Sequence, residues 1–99
     1  MIKVNYKKDK RIKEIKISGH ANFADYGKDI VCAAVSTMVT TTINNILAID
    51  NDAIKYVDSD GYILISNEDN EIADKLLNNM LDMLNDLAKD YPNNIKIGG

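Results

Sequence analysis

An α+β fold, two-layer, with a mostly antiparallel sheet carrying two helices on one face, is predicted by three features of this 99-residue chain. Short segments at both ends and in the middle alternate apolar with polar residues, the period of a half-buried strand. Two longer segments switch to the three-to-four-residue spacing of an amphipathic helix. An Asp60-Gly61 dipeptide, a tight-hairpin signal, joins two of the alternating segments. The element order is β-β-α-β-β-α-β, and a single domain over residues 1–99 accounts for all of it.

Ile2, Val4 and Tyr6 alternate with polar residues and open the chain as a strand. A turn is expected at Lys8-Asp9-Lys10. The second strand carries Ile15 and Ile17 on one face, while Ile12 breaks that parity and marks a bulge. Gly19 ends the pattern, and Asn22, Asp25, Tyr26 and Gly27 give Ala21 to Lys28 the composition of a loop. Asp29 suits the N-cap of the first helix. Val31, Val35, Met38, Thr42, Ile46 and Ile49 form its apolar stripe, widened by Ile30, Ala34, Ile43 and Leu47, and Asp50-Asn51-Asp52 closes it.

Ile54 to Val57 and Tyr62 to Ser66 read as the next two strands. Ser66 with Asp69 resembles a capping box for the second helix. Ile72, Ala73, Leu76, Leu77, Met80, Leu81, Leu84, Leu87 and Ala88 supply that helix's buried face, Pro92 ends it, and Ile95 with Ile97 forms a last strand. Met38, Met80 and Met83 read as core, or as an apolar seam between two copies of the chain.

A hydrophobic share of 45% and a charged share of 27% belong to an ordinary globular chain rather than a disordered one. No unbroken apolar run of about 18 residues occurs, so no membrane span is expected. The start is charged within three residues and has no apolar signal core, so no secretory leader is expected, and one cysteine excludes an intrachain disulfide or a multi-thiolate metal site. The cytoplasm is the expected compartment. The net charge of −3 is unevenly spread: residues 1–28 carry eight Lys/Arg against three Asp/Glu, and residues 29–99 carry four against twelve. The basic excess centres on Lys7, Lys8, Lys10, Arg11 and Lys13. These suit either a phosphate-contacting arm or a solvated hairpin tip whose lysines discourage edge pairing. No aromatic platform accompanies them, so direct nucleic-acid binding is not expected.

The chain has one histidine and one cysteine, His20 and Cys32. A thiol that attacks a carbonyl needs a base titrating near neutrality, and these two form the one such pair available. With Asp29 as N-cap, Cys32 is the third residue of the first helical turn, near unpaired N–H groups and the positive end of the helix dipole. Both favour thiolate, whereas the Asp29 carboxylate opposes it. The same N–H groups suit an oxyanion hole. Asp29 or Asp25 is positioned in sequence to orient His20, and Ser36 lies one turn beyond Cys32 on the same face. A bland reading competes: a cysteine beside two alanines is also a common small core residue.

The stretch Gly19-His20-Ala21, followed by Gly27-Lys28-Asp29-Ile30-Val31-Cys32-Ala33-Ala34-Val35-Ser36, resembles the ribosomal-processing cysteine protease family Prp. The resemblance implies a cytoplasmic cysteine endopeptidase that removes an N-terminal extension from the ribosomal large-subunit protein L twenty-seven before ribosome assembly, cutting after an apolar, phenylalanine-containing sequence. It implies a homodimer that needs no cofactor and no metal. It assigns Cys32 as nucleophile, His20 as base and Asp29 as a supporting residue, and the helical spacing adds Ser36 as a second supporting residue. A glycine-bordered substrate loop is implied over Ala21 to Lys28, and Gly19, Phe23, Tyr26 and Gly27 are its candidate substrate-loop residues. A substrate with aromatic side chains needs an apolar cleft, for which the residues themselves offer Phe23, Tyr26 and Ile30 as lining. The alternatives are a non-catalytic ribosome-associated module using the basic hairpin and a redox-sensing thiol at Cys32.

Overall fold

The computed structural model describes residues 1–19, 30–59 and 61–99. Their elements follow the predicted order: β1 (Ile2–Asp9), β2 (Arg11–Ser18), α1 (Ile30–Ile49), β3 (Ile54–Ser59), β4 (Tyr62–Asn67), α2 (Glu71–Asp90) and β5 (Ile95–Gly98). The sheet runs β3-β4-β2-β1-β5. All its pairings are antiparallel except β1 with β5, which is parallel. Both helices lie on one face, and one apolar cluster joins them to the sheet.

Strand parity explains which face closes. Ile2 and Val4 of β1, Ile15 and Ile17 of β2, Ile63 and Ile65 of β4 and Ile95 of β5 all point into the core. Ile12 is buried as well, out of phase with Ile15, and the register explains it. Lys7 faces Glu14 while Lys8 faces Ile12, so Lys13 is the extra, bulged residue. The bulge turns Ile12 back into the core and interrupts the ladder beside it. Side chains fill the gap. The Ile12 N–H donates to Asp74 Oδ1 at 2.7 Å, and its carbonyl accepts from Asn67 Nδ2 at 3.0 Å. The β1–β2 turn narrows to Lys10, which takes a left-handed φ of 67°.

The β3–β4 hairpin is longer than its sequence suggests. Ser59 pairs with Tyr62, so strand pairing runs through Asp58 and Ser59 to a two-residue turn. Gly61 has φ +71°, the left-handed conformation such a turn demands. Asp60 lies outside the described residues.

The cap of α2 differs from the expected Ser66–Asp69 box. Ser66 is held within β4, paired with Glu14 and Lys55, and cannot leave the ladder. Asn70 is the N-cap instead, accepting the Ala73 N–H at 2.9 Å. Asn67 prepares that turn by accepting the Asn70 N–H at 3.0 Å. Along α2, Ala73, Leu77, Met80, Leu81 and Leu84 are buried, and Leu76, Leu87 and Ala88 pack at the margin. Ile72, expected inside, is 48% exposed because the buried stripe passes through Ala73 and Leu77.

In α1 the buried face is Val31, Cys32, Val35, Val39, Ile43 and Ile46. The expected stripe is rotated: Val39 replaces Met38 at its centre, and Ile49 and Ile30 are exposed. Thr42 stays half-buried and returns its hydroxyl to the Met38 carbonyl at 2.8 Å. The helix contains no charged residue, so its mean hydropathy reaches 1.5 over 18 residues despite its Ser, Thr and Asn. By length and composition alone it is long and apolar enough to cross a membrane, a test that a core helix also passes. Its valine and isoleucine side is nonetheless part of the core that α2 and the sheet complete.

Two substitutions test this packing. Leu84→Ala, at a fully buried position, should cost about 2–5 kcal/mol in urea denaturation. Asp74→Ala should cost about 1–3 kcal/mol by stranding the Ile12 N–H, with Asp74→Asn recovering most of the loss because its carbonyl oxygen still accepts.

Candidate active site

Cys32 is the third residue of α1, the position expected for it, and is 9% exposed. Burial of Val31 and Val35 on either side fixes that turn against the core. That position places the thiol near the positive end of the helix dipole, which favours a negative charge there.

A cleft of about 90 Å³ contains Cys32 and is lined by Met1, Ile2, Gly19, Val31, Asn93 and Asn94. It lies where the start of β1, the end of β2, the first turn of α1 and the approach to β5 converge. Backbone bonds fasten these ends together. The Ile2 N–H donates to the Asn94 carbonyl at 2.8 Å, and the Gly19 N–H donates to the Gly61 carbonyl at 2.9 Å.

Gly19 has a structural requirement of its own. Its φ is +80°, and a Cβ there would overlap the Met1 carbonyl oxygen. Glycine is therefore required at this wall of the cleft both by backbone conformation and by close approach.

Ser36 lies one turn beyond Cys32 on α1 and is half-buried. Ile30, expected to line the substrate cleft with Phe23 and Tyr26, is 64% exposed at the first position of α1 and is not part of the Cys32 cleft wall. His20, Asp25, Asp29, Phe23, Tyr26 and Gly27, with the whole Ala21–Lys28 loop, lie outside the described residues. Asn93 and Asn94 were not singled out by the sequence. Their one legible signal is the turn composition of Pro92-Asn93-Asn94, which does not reveal that the turn folds back beside residue 32.

Carboxylates face part of the basic hairpin's charge. Lys7 faces Glu14 at 3.7 Å, Arg11 faces Asp69 at 3.1 Å, and Lys13 faces Asp9 at 3.6 Å. Exposed pairs of this kind contribute little to stability, but they reduce the charge available to a phosphate chain. Of Met38, Met80 and Met83, Met80 is core. Met38 and Met83 line a separate cavity of about 220 Å³ between the helices, with Thr37, Thr41, Leu76 and Asn79.

Comparison with known proteins agrees with this architecture. Residues 1–96 match the family model for cysteine protease Prp. The ribosomal processing cysteine protease Prp of Staphylococcus aureus is 31% identical over 91 residues, covering 88% of this chain and 86% of that protein. Its Bacillus subtilis counterpart is 28% identical over 97 residues, covering 90% of this chain and 87% of its own. The crystal structure of the essential S. aureus protease with a covalently linked product peptide superposes with a TM-score of 0.88 at 28% identity, covering 99% of this chain and 98% of that one. A second S. aureus structure, with a substrate peptide, gives the same TM-score at 26% identity and the same coverage.

A five-stranded sheet with two helices on one face is thus the architecture that this chain shares with a class of cysteine proteases. The chain belongs to the ribosomal-processing cysteine protease Prp family.

Gly19→Ala should cost about 1–3 kcal/mol from backbone strain alone, with additional loss from the overlap at Met1. Thermal unfolding of the variant measures it.

Proposed function

We propose that this chain is an endopeptidase that removes the N-terminal extension of the ribosomal large-subunit protein L twenty-seven, acting in the cytoplasm before ribosome assembly, with Cys32 as nucleophile and His20 as base. One observation carries the reading: within a family of cysteine proteases, the chain's single cysteine lies in the first turn of α1 at a cleft. The S. aureus relatives hold a substrate peptide and a covalently linked product peptide, which supports a peptide as the substrate here.

In this mechanism His20 accepts the thiol proton as Cys32 Sγ attacks the carbonyl carbon at the end of the extension. Electron density moves to the carbonyl oxygen, where N–H groups of the α1 first turn stabilise it. Collapse of the tetrahedral intermediate breaks the C–N bond. The His20 proton passes to the departing amine, the new N-terminus of the ribosomal protein. Water, deprotonated by His20, then releases the extension from the thioester and restores the thiol. Asp29 and Ser36 are supporting residues in this reading, and Gly19, Phe23, Tyr26 and Gly27 belong to the substrate loop.

The active species is a homodimer in this reading, and α1 supports it. The helix has no charge anywhere, yet Ala33, Thr37, Thr40, Thr41, Asn44 and Asn45 are exposed along it. Beside them Met83 is 44% exposed at the inter-helix cavity. An uncharged, partly apolar face of this length suits burial against a second copy.

Mass spectrometry of an N-terminally extended substrate should show a single cleavage by the wild type. Cys32→Ala should lower the rate at least about a thousandfold, and His20→Ala about 10²–10⁴-fold. No cleavage by the wild type, or undiminished cleavage by Cys32→Ala, would refute the reading. Sedimentation should show a dimer that Thr41→Lys dissociates, since the new ammonium would be buried without a partner.

A further inference from the structure

The turn between α2 and β5 delivers two carboxamides to the Cys32 cleft. Tyr91 ends α2 by donating its N–H to the Leu87 carbonyl at 3.0 Å, and its own carbonyl accepts from Asn94 N–H at 3.0 Å. Pro92 occupies the second position of this turn, where its fixed φ is favoured. The Asn94 carbonyl accepts from Ile2 N–H at 2.8 Å, tying the turn to β1. The Asn94 backbone is therefore committed at both its N–H and its C=O.

The side chains are not committed in this way. Asn93 and Asn94 are exposed, both line the cleft that contains Cys32, and neither carboxamide bonds to another described residue. The other described walls are Met1, Ile2, Val31 and Gly19, none of which has a polar side chain. A peptide entering the cleft loses water from its main-chain carbonyls, and each carbonyl left unpaired carries a desolvation penalty. A carboxamide supplies an N–H donor without adding a charge beside the thiol.

We infer that Asn93 and Asn94 are substrate-contact residues whose carboxamide N–H groups donate to main-chain carbonyl oxygens of the peptide segment that ends at the bond Cys32 attacks. The inference rests on the protease reading above and adds to it a device that grips the peptide main chain, independent of side-chain preference. Backbone hydrogen bonds hold the turn, so both residues are anchored at the cleft while their carboxamides are left to bond the peptide.

The test compares two reagents at Cys32. One is iodoacetamide. The other is a peptidyl chloromethyl ketone with an apolar, phenylalanine-containing sequence. The readout is the ratio of the two alkylation rates, because a change in thiol reactivity moves both rates together. The wild type should favour the peptidyl reagent. The pair Asn93→Ala with Asn94→Ala should lower the ratio about tenfold or more with an unchanged Tm, since the side chains hold no part of the fold. Asn93→Asp with Asn94→Asp retains the turn and the side-chain shape but removes the donors, and should lower the ratio equally. An unchanged ratio in the aspartate pair would overturn the inference while leaving the protease reading intact. A wild type with no preference for the peptidyl reagent would overturn both.

Discussion

Burial of Val31 and Val35 is the constraint on which the Cys32 site depends. Those side chains hold the first turn of α1 against the sheet, and a helix held by i and i+4 has no rotational freedom left for the residues between. Cys32 is one of them. It is deep enough to be shielded and shallow enough to border a cleft, and its depth follows from its neighbours rather than from any property of sulfur. The sheet extends the same logic. Its inward isoleucines define the plane on which α1 rests, and the Lys13 bulge keeps Ile12 in that plane.

The two helices solve the closure problem differently. In α2, a narrow stripe from Ala73 to Leu84 is buried and the outer face is strongly polar. The uncharged α1 instead leaves its Thr and Asn side exposed. A helix of the first kind is complete when it packs on one surface, whereas the second kind keeps an uncharged Thr and Asn face, the face that the proposed dimer would cover.

Much of the fold was legible because period and parity are local properties. Ile12 disagreed with Ile15 and Ile17, and a bulge is the one device that reconciles them within a continuous strand. Local reasoning failed where a side chain had two possible employers. Ser66 carries the chemistry of a cap, but the β4 ladder holds it, and Asn70 takes the role with Asn67 behind it. The α1 stripe came out rotated because a helix rich in Val, Ile, Thr and Ala offers several nearly equal apolar faces, and only the sheet selects among them. Of the candidate site, the position of Cys32 on its helix was readable from the spacing. The Asn93–Asn94 wall was not, because nothing in a turn sequence records which distant residue it will meet.

The hydrogen bond from Ile2 N–H to the Asn94 carbonyl links positions separated by nearly the whole chain. Parallel pairing of β1 with β5 therefore closes the largest loop the fold contains, and such closures are entropically expensive and slow. The cleft wall formed by Met1, Ile2, Asn93 and Asn94 depends on that closure. A chain that has collapsed its helices but not yet docked its last strand has a cysteine without a cleft. Formation of the Cys32 cleft is thus tied to the most non-local contact of the described fold, so anything that undocks β5 also dismantles the cleft.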